Sequence, residues 1–335
     1  MISVIVCAYN EEKLITHCLQ ALANQNFPTS EFEVVIIDDE STDNTSKLCK
    51  EFISNLDQKG PKFKYYRIEH AGLSVARNEG INNSHGDIIC FIDADALADP
   101  QWLTNYNNTF LNPQIHYSSG RIILLNEDST FANILQKTRF NQKFSPPYNN
   151  HFHGVNMAFR RDIFLKVGGF YENFESRGDD TTFRNIVKKH YTYEPTPTAV
   201  VKHERPESLE EWFNIFLKEL NFQYLVFKAL NHSSSTFYYI VPLLKSLIID
   251  TLFLLGFFWW PAFILAILAF LISKRKHLFI KTTLFSKEWL FNWSYHIIDT
   301  FLRPFYFIKS YLIYHNEPII PANSKKPEIK KKISN

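Results

Sequence analysis

Two acidic clusters each stand at the end of a strongly apolar run. Val34-Val35-Ile36-Ile37 leads into Asp38-Asp39, and Ile88-Ile89-Cys90-Phe91-Ile92 leads into Asp93-Ala94-Asp95. Runs of four or five β-branched or aromatic residues read as inner strands of a mainly parallel sheet, whose ligands sit outside the carboxyl ends of the strands. Both carboxylate clusters would then face one crevice. Like charges gathered at one sheet edge repel unless something cationic is shared, so the pattern points to a divalent metal or to a polar ligand with several donors.

The chain around these runs alternates. Residues 3–9 read as a strand, followed by a helix from about Glu11 with Asn10 as cap and Ile15, Cys18, Leu19 and Leu22 on one face. A strand at 32–38 leads to a helix capped by Asp43, with Leu48, Phe52 and Ile53 on its apolar side. A strand at 63–68, a helix at 73–82 and a strand at 87–93 follow, which is the pattern of a doubly wound α/β sheet. After residue 100 the alternation is irregular. A strand is expected at 117–125 and a helix at 131–140. A loop with Pro146-Pro147-Tyr148-Asn149-Asn150 that could cover a site comes next. The acidic turn Gly178-Asp179-Asp180 opens a helix with Phe183, Ile186 and Val187 on one face. There is no internal repeat.

Charge and composition narrow the setting. With 36 basic against 34 acidic residues, the chain lacks the basic excess of a nucleic-acid surface. Self-association into a homo-oligomer stays open. Cys7, Cys18, Cys49 and Cys90 show no metal spacing and read as core residues in a reducing compartment. The first strand begins almost at once, which leaves no room for a cleaved export leader. From Thr251 to Ile272 the chain runs 22 residues without a charge, against the roughly 20 that span a hydrocarbon core. A membrane segment is expected there, although Pro261 would break or kink it. A single pass would put Lys274-Arg275-Lys276 and Lys330-Lys331-Lys332 on the face opposite the amino-terminal domain, against the positive-inside tendency. A hairpin over 237–272 keeps both ends cytoplasmic, at the expense of Lys245 and Asp250 in its first arm. Beyond it, aromatics such as Trp289, Trp293, Tyr295, Phe301 and Phe305, interspersed with Lys287, Arg303 and Lys309, suit helices in the headgroup layer. They would equally suit a packing face against the soluble domain.

In order and spacing, SVIVCAYNEE (3–12), VVIIDDESTDNT (34–45), GLSVARNEGI (72–81), GDIICFIDAD (86–95), NMAFRR with VGGF (156–170) and GDD (178–180) resemble the family 2 glycosyltransferases of the GT-A fold. The likeness covers roughly residues 1–230. It implies an α/β, Rossmann-like catalytic domain with a mainly parallel central sheet; the composition beyond it adds the expected membrane-embedded segment at 237–272 and amphipathic interfacial helices with a basic tail at 273–335. It also implies an inverting enzyme that transfers a sugar from a nucleoside-diphosphate donor, UDP-linked in the first instance, with Mn²⁺ or Mg²⁺. The acceptor would be a lipid-linked sugar or polysaccharide at the cytoplasmic face of the cell membrane, in cell-surface glycan synthesis.

Carried onto this chain, the resemblance makes Asp39 the acceptor for the N–H of the base, with Asp38 as its neighbour and a mostly structural residue. Ala8, Tyr9 and Glu11 fall in the first nucleotide-contacting loop, with Tyr9 available to pack on a base. Arg77 suits the diphosphate or the carboxylate cluster, or pairs with Asp93 to hold the sheet edge. Asp93 would contact the ribose and Asp95 the metal, with His203 as a further ligand or as an ordinary structural histidine. In an extended strand end, Asp93 and Asp95 would point the same way. Asp180 is the base for the acceptor hydroxyl, or a helix cap, or both. Asp179 departs from the family's usual Glu, which puts its acceptor contact in doubt. Arg184, one turn later, would orient the acidic pair. Asn156 with Gly154 matches a segment lining the sugar and acceptor side, and Trp212 is either an acceptor contact or a core residue. No QxxRW motif of processive relatives follows, so a single transfer per acceptor is expected. The alternatives are a polyprenyl-phosphate glycosyltransferase and a non-catalytic nucleotide-sugar-binding membrane subunit.

Overall fold

The computed structural model describes residues 1–57, 60–139, 153–174, 177–221, 244–245, 247–252, 267 and 287–314. They fall into two units. One takes residues 1–125 and 153–204, the other 126–139 and those described from 205 to 314. The loop at 146–150 lies outside the described residues, as does most of the apolar run at 251–272. Among the described residues no helix is long and apolar enough to cross a membrane.

The first unit is built on an eight-stranded sheet. Its strands are β1 (Ile2–Ala8), β2 (Phe32–Asp38), β3 (Lys62–Arg67), β4 (Ile88–Asp93), β5 (Ala96–Ala98), β6 (Tyr117–Leu124), β7 (Asn156–Arg160) and β8 (Thr196–His203). The spatial order is β3-β2-β1-β4-β7-β6-β8-β5. The four strands from β3 to β4 are parallel, as expected from the apolar runs. Beyond β4 the sheet becomes mixed: β7 runs antiparallel to both β4 and β6, β8 is parallel to β6, and β5 closes the edge antiparallel to β8. The expectation of a mainly parallel sheet therefore holds for one half only. The short run Asn156–Arg160 carries no periodic signal of its own, and its place is set by partners remote in sequence.

Period-two alternation covers both faces of this sheet. Val4, Val6, Val34, Ile36, Cys90 and Ile92 point to one side, where α1 (Ile15–Ala23), α2 (Thr45–Ser54) and α4 (Trp102–Phe110) bury them. Ile5, Ile89 and Phe91 point to the other, against α3 (Leu73–Asn82), α6 (Arg161–Val167) and α7 (Asp179–Val187). Each such side chain, fully withdrawn from water, contributes about 1.5–3 kcal/mol. On this second face an aromatic cluster supports α7: Phe91 meets Phe170 edge-on at 5.4 Å, and Phe164 stacks on Phe183 at 5.2 Å. Phe91 and Phe170 of this cluster also lie beside the Arg77 guanidinium described below.

Register levels the carboxyl ends of the central strands. Ala8 of β1 lies opposite Asp38 of β2, and Cys7 opposite Asp93 of β4. The acidic clusters after β2 and β4 thus end on either side of β1, where the strand order reverses and α/β sheets open a crevice.

The start of α1 differs from expectation. Regular helix begins at Ile15, with Leu14 at the cap position and turns before it. Asn10 is not a cap. It sits at φ 58°, and its Oδ1 accepts the Thr42 and Asp43 N–H groups, so it pins the loop after β2 instead. The expected face of Ile15, Cys18, Leu19 and Leu22 is fully buried. At α2, Asp43 Oδ1 accepts the Thr45 N–H while its Oδ2 accepts that of Glu12, so this residue serves two loops.

The second unit joins α5 (Thr130–Arg139), α8 (Leu209–Asn221) and α9 (Lys287–Tyr314) around Leu135, Trp212, Phe216 and Tyr295. Trp212 stacks on Phe216 at 5.4 Å and is a core residue. On α9, Tyr295 packs inward, whereas Phe301, Phe305, Ile308, Tyr311 and Leu312 are exposed. The aromatic stretch is thus one helix that serves as a packing face and also leaves apolar side chains uncovered.

Candidate active site

At the end of β4, Asp93 is followed by a two-residue turn, and the chain then enters β5. Asp93 and Asp95 converge because the backbone turns back at Ala94-Asp95, not because an extended strand aligns them. Pairing of Ala96 with His203 across β5 and β8 brings the histidine alongside. Asp93, Asp95 and His203 each offer a ligand atom, all within 4.8 Å of one another, and His203 Nε2 lies 3.2 Å from Asp95 Oδ2. Two hard carboxylate oxygens and an imidazole suit Mn²⁺, with room for phosphate oxygens and water. The residues present therefore fit a divalent cation.

The surroundings strengthen that fit. An open crevice beside Asp95 is lined by Asn10, Glu11, Glu12, Lys13, Leu14, Asp43 and Glu204. Within it the Glu11 carboxyl is pushed up to about 8, first by burial and then by the charges of Asp95, Asp93, Asp43 and Glu204. Such an acidic enclosure favours a cation. It also sets a pH dependence. A carboxyl whose folded pKa lies above its ordinary 4.5 costs stability as pH rises from there toward 8, and the full cost applies above 8. Glu11→Gln removes this cost. In metal-free protein the variant should melt progressively higher than the natural chain as pH goes from 5 to 8, with Mn²⁺ narrowing the difference. Equal melting temperatures at both pH values would contradict the assignment.

Arg77 links this end of the crevice to the acidic turn. It projects from α3 and is only 3% exposed, with Nη2 3.4 Å from Asp93 Oδ1 and Nη1 bonded to Asp179 Oδ2. Its guanidinium lies 5.5 Å from the centre of the Phe170 ring, a cation–π contact. Burial pushes the Asp93 and Asp179 carboxyls up, and the Arg77 charge opposes that push in both. Of the roles open in the sequence, the one observed is pairing at the sheet edge. Gly154 backs the guanidinium so closely that a Cβ there would stand 2.5 Å from Nη2.

Asp179 and Asp180 open α7 behind Gly178, whose φ of 91° requires glycine. They have different surroundings. Asp179 is buried against Arg77, which accounts for the carboxylate that the sequence left in doubt. Asp180 is half-buried, and its Oδ2 accepts the Gly154 N–H at 2.8 Å. One member of the pair is thus a counter-ion, and the other is held by the backbone, its Oδ1 accepting the Thr181 N–H at 2.6 Å. Arg184, half-buried one turn on, acts electrostatically on Tyr117 and Tyr193.

At the β2 end the two aspartates also divide. Asp38 is fully buried, accepting from the Ser41 N–H at 2.8 Å and the Tyr65 hydroxyl at 2.5 Å, with Arg67 Nη1 at 3.4 Å. It braces the loop and β3. Asp39 Oδ1 accepts the Ala71 N–H and Oδ2 the Gly72 N–H, at 2.9 and 3.0 Å. The Ala8 carbonyl accepts the Asp39 N–H, and Ala8 itself is buried. Tyr9 is exposed and stacks on His70 with centroids 4.4 Å apart. Nothing in the sequence reading singled out His70. Its signal was its place at the end of β3, next to the strand that carries Asp39.

Asn156 is a correction. It is fully buried, and its Oδ1 accepts from Trp102 Nε1–H at 2.9 Å and Tyr106 Oη–H at 2.6 Å. Its Nδ2 donates to the Arg121 and Ala199 carbonyls. With all these groups spoken for, it rivets α4, β6 and β8 together and does not line a substrate. The thiols take no part either: Cys18, Cys49 and Cys90 are buried, and burial pushes the half-buried Cys7 up to about 12.

Comparison with known proteins places these features. The family model for glycosyl transferase family 2 matches residues 3–168, and that for glycosyl transferase family group 2 matches residues 88–274, more than half of the chain. Glycosyltransferase AglE of Haloferax volcanii is 30% identical over 187 residues, covering 53% of this chain and 58% of that protein. A Methanococcus voltae dolichyl N-acetyl-α-D-glucosaminyl phosphate 3-β-D-2,3-diacetamido-2,3-dideoxy-β-D-glucuronosyltransferase is 38% identical over 112 residues, covering 32% of this chain and 33% of that one. The chain therefore spans less than two thirds of the length of either relative. Among solved structures, the mannosyltransferase PcManGT from Pyrobaculum calidifontis, in complex with GDP-Man and Mn²⁺, superposes with a TM-score of 0.57. The match has 18% identity and covers 94% of this chain and 88% of that one, a likeness of fold.

Proposed function

The chain belongs to glycosyl transferase family 2, and from that premise we propose that it is an inverting, metal-dependent enzyme that moves one sugar per event from a nucleoside-diphosphate donor to a hydroxyl. The observation that carries this is the shared Arg77: one guanidinium ties Asp93, one of the three candidate cation ligands, to Asp179, beside Asp180. Arg77 would thereby couple the donor-side and acceptor-side carboxylates. Asp39, at the β2 end, would accept the N–H of the donor's base, for which UDP-linked sugars are the first candidates.

In the reaction, the acceptor oxygen forms its bond to the anomeric carbon from the face opposite the diphosphate, whose bond to that carbon breaks. The hydroxyl proton passes to Asp180, held by the Gly154 N–H. Asp179 and Arg77 keep that carboxylate in place. A divalent ion on Asp93, Asp95 and His203 would supply charge neutralisation for the departing diphosphate.

The acceptor we propose is a lipid-linked sugar or growing polysaccharide at the cytoplasmic face of a membrane. Support comes from the uncharged run at 251–272, from the exposed apolar side chains of α9, and from the dolichyl-phosphate-linked acceptor named for the Methanococcus relative. A catalytic unit anchored at the bilayer meets such an acceptor at high effective concentration. The test is transfer by the full chain with Mn²⁺ and labelled donors, offering a polyprenyl-diphosphate-linked sugar, free polyprenyl phosphate and a soluble oligosaccharide side by side. Label on the lipid-linked sugar is expected. Label on polyprenyl phosphate alone would replace this acceptor with the phosphate, and label on the soluble sugar alone would remove the membrane from the reaction.

A further inference from the structure

The pairing of Tyr9 with His70 has no role in the chemistry above, yet it lies directly over Asp39. β1 and β3 flank β2, so the loops that follow them, carrying Tyr9 and His70, approach Asp39 from its two sides. Both rings are about half exposed, and they stack with 23° between their planes. His70 also reaches down: Nδ1 stands 2.9 Å from Asp39 Oδ2 and 3.1 Å from the Asp39 carbonyl oxygen. Its backbone N–H is held by Glu40 Oε2 at 3.1 Å. With the Ala71 and Gly72 N–H groups on the same carboxylate, three donors from within the chain meet Asp39, two of them on Oδ2, and its side chain is 5% exposed.

We infer that His70 is the second wall of the nucleobase slot and that in this conformation it also fills the slot. This rests on Asp39 being the acceptor for the base. A planar base needs an edge partner and two flat faces; Asp39 supplies the edge, and Tyr9 supplies one face. Strand spacing sets the loops after β1 and β3 roughly 10 Å apart, while two rings with a base between them need roughly 7 Å. At 4.4 Å the rings exclude a base, so His70 swings outward by roughly 3 Å when one enters. The base N–H then takes the place of His70 Nδ1–H on Asp39, and the imidazole becomes the outer stacking surface. His70 therefore acts in two opposed ways: as a face that favours the base and as a donor that competes with it.

Two substitutions separate these roles, and the half-exposed position lets both fold. His70→Phe keeps the flat face and removes the donor; His70→Ala removes both. Calorimetric titration of the full chain with UDP and Mn²⁺ should show His70→Phe binding at least as tightly as the natural chain. His70→Ala should bind at least about fivefold more weakly than His70→Phe, the lower end of what one aromatic face contributes to a base. Inorganic pyrophosphate with Mn²⁺, which lacks a base, should bind the three proteins alike. Equal UDP affinity of the Ala and Phe variants would overturn the slot. Asp39→Asn is the control on the premise: UDP affinity unchanged in that variant removes the base reading of Asp39 and the slot with it. Loss of affinity there, with Ala and Phe alike at position 70, removes the slot alone.

Discussion

Asp180→Asn is expected to lower the turnover of sugar transfer to a hydroxyl by about 10²–10⁴-fold, the range for removal of a positioned general base. Binding of the nucleoside diphosphate should be unchanged. The substitution is close to isosteric, and the single amide oxygen keeps one of the two backbone bonds that Asp180 accepts, from Gly154 N–H or from Thr181 N–H, so a modest local loss at the start of α7 accompanies it. What is lost is the ability to take the proton. The same variant distinguishes acceptors. A phosphate acceptor is already ionised and needs little help from a base, so substantial activity of Asp180→Asn on polyprenyl phosphate would show that the natural reaction forms a different bond. A variant with natural turnover on a hydroxyl acceptor would exclude Asp180 as the base.

The second large effect concerns stability. Arg77→Leu should destabilise the first unit by about 3–5 kcal/mol, the magnitude observed when one partner of a buried ion pair is removed. The cause is the carboxylates left behind: Asp179 is as deeply buried as Arg77, and Asp93 loses its nearest positive charge. For a unit of this size, that corresponds to a fall in melting temperature on the order of 10 °C. Arg77→Lys is not a conservative replacement, because an ammonium cannot bridge two carboxylates with a planar fork or lie flat over Phe170. The double variant Arg77→Leu/Asp179→Leu should recover part of the loss, since it replaces the charged pair by apolar groups. Recovery would identify the uncompensated charge as the source. A single variant that melts within 2 °C of the natural chain would contradict the bridging role.

The division between what the sequence reveals and what it hides follows range along the chain. β1, β2 and β4 are legible because each is a largely apolar run, and the carboxylates at the ends of β2 and β4 are carried to one edge by parallel register alone. Arg77 and the acidic turn become legible once motif order is considered. The mixed half of the sheet is not legible, because β7 is held by β4 and β6 through pairing that five residues do not encode by themselves. Asn156 misleads for a related reason. Polar and embedded in a motif, it reads as a substrate ligand, yet its partners Trp102, Tyr106, Arg121 and Ala199 come from three other elements and fully occupy it. The convergence of Asp93 and Asp95 was expected for the wrong local reason, extended alternation, where a turn does the work. Asn10 likewise gave a cap signal, but its left-handed backbone directs the side chain to the neighbouring loop.

The most direct measurement is nucleoside diphosphate release by the full chain, offered UDP-, GDP- and dTDP-sugars in turn with and without Mn²⁺, for the natural protein and for Asp95→Asn. Release confined to one class of donor, dependent on the metal and lost in the variant, is the expected result. Release that is equal in both proteins and indifferent to the metal would contradict the assignment of Asp93, Asp95 and His203 as the cation site on which the transfer depends.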